Sequence, residues 1–103
     1  MSGTVRVALP ASLRLLAKIG SHDDIDLAVH GTISIGAILD LLEQKYPALR
    51  GTLRDQASQR RRPFIRFFAC QQDVSHQAAD EPLPPAIAEG REPFIIIGAI
   101  AGG

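Results

Sequence analysis

The chain has 103 residues, 46 % of them hydrophobic and 21 % charged, with equal numbers of basic and acidic side chains. That is the size and composition of one globular domain able to bury its own core. Zero formal net charge gives no overall field to attract nucleic acid or an anionic membrane. The single cysteine, Cys70, excludes an internal disulfide framework.

Near the N-terminus no basic segment leads into an apolar core, because Pro10, Arg14 and Lys18 interrupt the run from Val7 to Ile19. No apolar stretch reaches the length of a bilayer span. The expectation is a cytoplasmic protein without a signal peptide.

Thr4 to Leu9 alternates, with Val5, Val7 and Leu9 on one face, and predicts a half-buried strand stopped by Pro10. Ala11 to Ile19 has Leu13, Leu16 and Ala17 at helical spacing and predicts a short helical turn or an irregular connection, ended by Gly20. Ser21 to Asp24 reads as a turn. Ile25 to Val29 alternates again, so an antiparallel pair is expected at the N-terminus.

The clearest element follows. Ser34 is an N-cap residue type, and Ile35, Ile38, Leu39, Leu42, Tyr46 and Leu49 recur at three- and four-residue spacing. Asp40, Glu43, Gln44 and Lys45 mostly face the other way. This is an amphipathic helix with one buried stripe, and Pro47 ends its regular part. Arg50 to Arg62 is polar and basic and reads as a loop. Phe64 to Cys70 predicts a strong strand, Gln71-Gln72 a turn and Asp73 to His76 a short strand. Three prolines between Asp80 and Gly90 make that stretch mostly loop, with one helical turn at Pro85 to Ala88. Phe94 to Ile97 is apolar at every position and predicts a central strand covered on both faces.

Ala99 to Gly103 has no bulky polar side chain and ends in two residues without Cβ atoms. Such a segment is thin enough to enter a narrow channel, and its carboxylate is its one chemically distinctive group. With Gly usage near ~7 %, a terminal Gly-Gly arises by chance in about 0.5 % of chains.

The order strand, strand, helix, strand, short strand, strand, with one long helix, is satisfied by a layer of helix on a mixed sheet of four to five strands. The first and last strands would be adjacent, parallel and central. This is the α+β arrangement called β-grasp or ubiquitin-like. It puts residues 1–98 in the domain and makes residues 99–103 a flexible projecting tail.

Three stretches resemble a known family. They are Ala11-Ser12-Leu13-Arg14 with Leu16-Ala17; Ile35-Gly36 followed by Leu39, Leu42, Tyr46 and Pro47; and the terminal Ala99 to Gly103. Together they resemble the MoaD/ThiS-type ubiquitin-like sulfur carriers, which include the small subunit of molybdopterin synthase. The resemblance implies that Gly103 is the site of adenylation and thiocarboxylate formation, and that Gly102 lets the backbone pass between a partner's walls. It implies three partners: an adenylating enzyme of the ubiquitin-activating type, a sulfur donor, and the large subunit of an acceptor synthase. ATP would be used by the activating enzyme, and the carrier itself would bind no cofactor and have no stand-alone catalysis. Molybdopterin synthesis is the first destination implied, with thiazole or cysteine synthesis as alternatives.

Docking to such partners would fall to Ile100 in the tail, to one of Phe67 and Phe68 on opposite faces of their strand, and to Arg60, Arg61 and Arg62. The 45–66 region is locally basic, with Asp55 the only acid inside it. It reads as a solvated loop first and as a patch for an acidic partner second. The loop from Arg50 to Arg62 has no aromatic residues interleaved with its charges, as nucleic-acid binding would want. Cys70 reads as a small buried residue. His22, His30 and His76 lack metal-ligand spacing, and Asp23, Asp24 and Asp26 lack a calcium-loop pattern. Ser12 and Ser34 have no nucleophile context. A β-grasp interaction module, in which the Gly-Gly is incidental, is the reading from a different class.

Overall fold

Five strands, one long and two short α-helices, and a 3-10 turn at Pro47–Leu49 after α2 are built in the order β1 (Ser2–Ala8), α1 (Ala11–Leu16), β2 (Ile25–His30), α2 (Ile35–Lys45), β3 (Ile65–Ala69), β4 (Gln72–Asp73), α3 (Pro85–Ala88) and β5 (Phe94–Gly98). They come from a computed structural model that describes residues 2–20 and 24–98.

The sheet order is β2-β1-β5-β3-β4. β1 and β2 pair antiparallel from Ser2–His30 to Val7–Ile25. β5 pairs parallel with β1 at Val7–Phe94 and Ala8–Ile95, and antiparallel with β3 from Phe68–Ile95 to Ile65–Gly98. The first and last strands are therefore adjacent, parallel and internal, which is the β-grasp arrangement expected from the order of elements.

The alternation read from the sequence decides which residues face the helices. Val5 and Val7, Ile25, Leu27 and Val29, Ile65 and Phe67, and Phe94 and Ile96 are all buried, and α2 lays Ile35, Ile38, Leu39 and Leu42 against them. The Ser34 side chain accepts a hydrogen bond from the Ala37 N–H at 3.2 Å, capping α2 as its residue type requires. The Phe67 and Phe94 rings stack with centroids 5.5 Å apart at the centre of this layer.

Two glycines permit close approaches. A Cβ at Gly3 would lie 2.2 Å from the Ala88 carbonyl oxygen, so α3 seats on β1 only because Gly3 has none. Gly90 has φ +75°, and a Cβ there would meet the Thr4 carbonyl oxygen at 2.9 Å. Beside it Arg6 donates to the Gly90 carbonyl (2.8 Å) and to the Arg91 carbonyl (3.0 Å), tying the entry of β5 to β1.

Four sequence expectations are corrected. The segment 50–62 is only partly a solvated loop: Leu53 and Arg54 are buried, and Arg54 and Arg61 form a β-bridge. The hairpin after β3 turns at Cys70-Gln71 rather than at Gln71-Gln72, because Ala69 pairs with Gln72. Cys70 and Gln71 have φ of 51° and 66°, the left-handed pair of a type I′ hairpin turn. Cys70 sits in that turn, half-buried against the margin of the core rather than fully buried within a strand. Finally, β5 is central but covered on one face only, since Ile97 is 44 % exposed. A single layer of helices shields one side of a sheet and leaves the other open.

Candidate functional site

The site is the end of β5, where the chain leaves the sheet toward the Gly-Gly sequence. Parallel pairing with β1 stops at Ala8–Ile95, because Pro10 lacks the N–H to continue a ladder and turns the chain into α1. Antiparallel pairing with β3 continues to Gly98, whose partner is Ile65, the first residue of β3. The β1 side of β5 therefore gives out at Ile95, before the strand ends, and the β3 side at its last residue, Gly98. The ideal Cβ position of Gly98 lies 3.6 Å from Ile65 Cδ1 and 3.7 Å from Pro10 Cγ, so these two side chains flank the last rung.

Arg61 braces that rung from below. Its guanidinium donates to the Ile65 carbonyl (2.6 Å), the Arg62 carbonyl (3.2 Å) and the Ser75 carbonyl (3.2 Å). The Ser75 hydroxyl in turn accepts the Phe67 N–H at 2.8 Å. The start of β3, and with it the exit of β5, is fixed by polar contacts as well as by the ladder.

The open face of the sheet adjoins the exit. Ile95, Ile97, Arg66 and Phe68 are its central residues, paired across strands as Ile97–Arg66 and Ile95–Phe68. Ile97 is exposed and Phe68 half-buried. Phe64, 54 % exposed, immediately precedes the Ile65–Gly98 rung. The open face beside the exit is therefore partly apolar. Arg66 gives the patch a charged rim, at 3.4 Å from Asp73. The hydroxyl and backbone N–H of Ser75, and then the Arg66 charge, hold the Asp73 carboxyl below the usual carboxylate range.

A second polar cluster anchors the segment before β3. Arg54 reaches Glu43 (3.0 Å) and Asp40 (2.5 Å) on the outer face of α2. Burial opposes its charge, and the hydrogen bonds to Glu43 and Asp40 outweigh that cost, so its pKa lies above the ordinary arginine value. The carboxylates that face away from the core in the sequence pattern thus receive a buried arginine.

The residues singled out in the sequence separate clearly. Phe67 is 2 % exposed and belongs to the core, so it is removed from the docking set; Phe68 stays on the open face. Arg61 is spent on backbone carbonyls rather than offered to a partner. Arg62 donates to the Gly51 carbonyl (2.8 Å) and lies 3.9 Å from Asp55. Arg60 is exposed. Ile100, Gly102 and Gly103 lie outside the described residues, as do His22 and Asp23. Two residues of the exit were missed. Phe64 was assigned to the strand, and Ile97 to a doubly covered core. One long amphipathic helix in the whole sequence was the signal that a second covering layer was missing. Among the described residues no three His, Cys, Asp or Glu side chains are grouped to hold a metal ion, and no helix is long and apolar enough to cross a membrane.

No protein-family model and no curated protein sequence matches this chain. Solved structures do. SAMP1 from Haloferax volcanii superimposes with a TM-score of 0.73 at 20 % identity, over 98 % of this chain and 100 % of that one. The small archaeal modifier protein 1 of Methanosarcina acetivorans gives 0.72 at 21 % identity, over 100 % of this chain and 99 % of that one. A chain of the BexX/CysO complex of Amycolatopsis orientalis gives 0.68 at 21 % identity, over 96 % of this chain and 99 % of that one. At these identities the likeness establishes the β-grasp fold, and it does so over essentially the full length of each partner in the comparison.

Proposed function

We propose that the chain is a ubiquitin-like carrier whose Gly103 carboxyl group is activated and loaded with sulfur by other enzymes. The observation that supports this reading most is the exit of β5: a strand internal to the sheet whose pairing with β1 ends at Ile95 and with β3 at Gly98, followed by Ala99-Ile100-Ala101-Gly102-Gly103. A carboxylate so presented is a poor electrophile until one oxygen becomes a leaving group. Attack by Gly103 on the α-phosphorus of ATP gives an acyl adenylate and pyrophosphate. A hydrosulfide-level sulfur then displaces AMP and leaves a thiocarboxylate. Sulfur anions are strong nucleophiles at neutral pH, so this group can attack an acceptor, and water restores the carboxylate afterwards.

The carrier supplies the reacting end and a surface to hold. Gly102 and Gly103 admit a partner's walls close to the backbone, and a side chain at Gly103 would crowd the carbonyl under attack. Ile97, Phe64 and Phe68 form the apolar surface that an adenylating enzyme and an acceptor synthase would grip. That a structural neighbour was solved in a complex, BexX with CysO, is in keeping with this role. The resemblance to the molybdopterin synthase small subunit makes a molybdopterin precursor the first acceptor to test, ahead of thiazole and cysteine synthesis.

A second reading shares the first step. Two neighbours are small archaeal modifier proteins, and the same acyl adenylate, captured by a lysine amine, would yield an isopeptide bond to another protein. Incubation of the intact chain and of the Gly103→Ala variant with ATP, an activating enzyme and sulfide decides. Thiocarboxylate on the intact chain alone supports the carrier, a ladder of conjugates supports the modifier, and neither product on either chain contradicts both.

A further inference from the structure

The sheet has two edges, and only one is protected. β4 is two residues long, which blunts that side. β2 forms the other edge with six residues, Ile25–His30, containing no Pro, Gly or Lys. None of them has a positive φ, so no bulge of the left-handed kind twists the edge away. Short strands, prolines, bulges and charged side chains, lysine above all, are the devices by which edges avoid pairing; of these β2 carries one charged residue, Asp26. An open cleft runs beside it, between Leu27 and Ala28 on the strand and Leu41, Gln44 and Lys45 on α2.

The residues along this edge are self-complementary. Ala28 is exposed and small, and Asp26 and His30 stand two positions to either side of it on the same face, both exposed. Neither forms an ion pair or side-chain hydrogen bond among the described residues: Arg6, the register partner of Asp26 on β1, is directed to Asp24 and to the Gly90 and Arg91 carbonyls.

We propose that β2 pairs antiparallel with β2 of a second copy about a two-fold axis through Ala28, joining two sheets into one of ten strands. In that register Ala28 faces Ala28, which leaves no bulky pair on the axis. Asp26 of each copy faces His30 of the other, giving two complementary polar pairs from one sequence. Leu27 faces Val29 on the core side, where both are already buried among apolar groups. A foreign extended peptide could use the same backbone groups, but nothing would require its sequence to match; the symmetry of Asp26 and His30 about Ala28 favours the chain itself. β1 separates this edge from β5, so both exits stay accessible. The inference is independent of sulfur carriage.

Sedimentation velocity of the full chain, from micromolar to millimolar concentration, tests it. The mass should rise from the 11.1 kDa of one chain to twice that, with the outward amides of β2 gaining protection from exchange in parallel. Ala28→Lys sets two ammonium groups on the axis, and His30→Asp sets Asp against Asp twice. Both should stay monomeric throughout, with the thermal unfolding of the dilute wild-type chain. The double variant Asp26→His with His30→Asp restores both pairs and should regain the dimer. A wild-type chain that remains monomeric at millimolar concentration overturns the proposal and leaves the edge to another protein's strand. A dimer indifferent to both single substitutions overturns it too, because its interface then lies elsewhere.

Discussion

Gly98 pairs with Ile65, so the strand that leads to the Gly-Gly sequence ends on the residue where its antiparallel neighbour begins. With the β1 ladder ended at Ile95, β5 finishes held by β3 alone, although it lies between the two strands in the sheet order. The consequences can be checked one at a time.

The open face and the core face of the last two long strands should respond unequally to substitution. Ile97→Asp exchanges a half-exposed strand residue and should cost about 1 kcal/mol of stability, while removing an anchor from the surface that an activating enzyme would grip. Loss of an interface anchor worth about 2 kcal/mol corresponds to roughly thirtyfold weaker engagement. Phe67→Ala, which empties the ring stacked on Phe94, should cost about 3–5 kcal/mol by thermal or denaturant unfolding. An Ile97→Asp chain that is loaded as fast as wild type would show that this face is not gripped.

Removing Arg54 should be felt well beyond its own position. Arg54→Met keeps much of the volume and leaves Glu43, a largely buried carboxylate, without its guanidinium. An unsatisfied buried group of this kind costs about 2 kcal/mol, and Asp40, being mostly exposed, adds little. Adding Glu43→Gln to Arg54→Met should recover part of the loss, and a denaturant series on the single and double variants measures the coupling.

Backbone conformation offers two changes of opposite sign. Gln71 holds φ 66° with a Cβ, and Gln71→Gly should stabilise by about 1 kcal/mol as the left-handed strain is relieved. Gly90→Ala introduces the same strain and a contact with the Thr4 carbonyl, and should destabilise by about 2 kcal/mol. Melting temperatures of the two variants suffice.

Two exposed carboxylates set a pH dependence with a definite sign. Ser75, through its hydroxyl and backbone, and then Arg66 hold Asp73 below the ordinary value of 3.8. The backbone N–H and hydroxyl of Ser58, then Ala57 and Arg62, do the same for Asp55. A carboxyl whose pKa is depressed by folding contributes stability above its unfolded pKa and loses it as pH falls through the folded one. Stability should therefore be flat from these two groups above about pH 5 and decline below about pH 4. The Asp55→Asn, Asp73→Asn double variant should be less stable at neutral pH and show a shallower decline in an acid unfolding series.

Much of this architecture was legible because it rests on local periodicity. Val5 and Val7, Ile25 to Val29 and the stripe from Ile35 to Leu42 face where alternation and helical spacing put them, and Ser34 caps as its hydroxyl allows. What failed depended on partners distant in the sequence. Phe94 to Ile97 carries no alternation, so its composition cannot say which side is open; only the lack of a second helical layer can. Arg54 looks like one basic residue among many until Asp40 and Glu43 are folded against it. The turn at Cys70-Gln71 was misplaced by one residue because neither side chain is a usual left-handed type, and the ladder from Ala69 to Gln72 imposes the conformation. Phe64 lies one residue outside β3, and a strand pattern resolves its own ends no better than that.

The central claim concerns the Gly103 carboxyl group, and the mass of the intact protein reads it directly. After incubation of the full chain with ATP, a ubiquitin-activating-type enzyme and a sulfide source, the claim requires a gain equal to the exchange of one oxygen for sulfur, located on Gly103 by fragmentation and absent when ATP is withheld. A chain that consumes no ATP and keeps its mass, with activating enzymes that load other carriers under the same conditions, would contradict it.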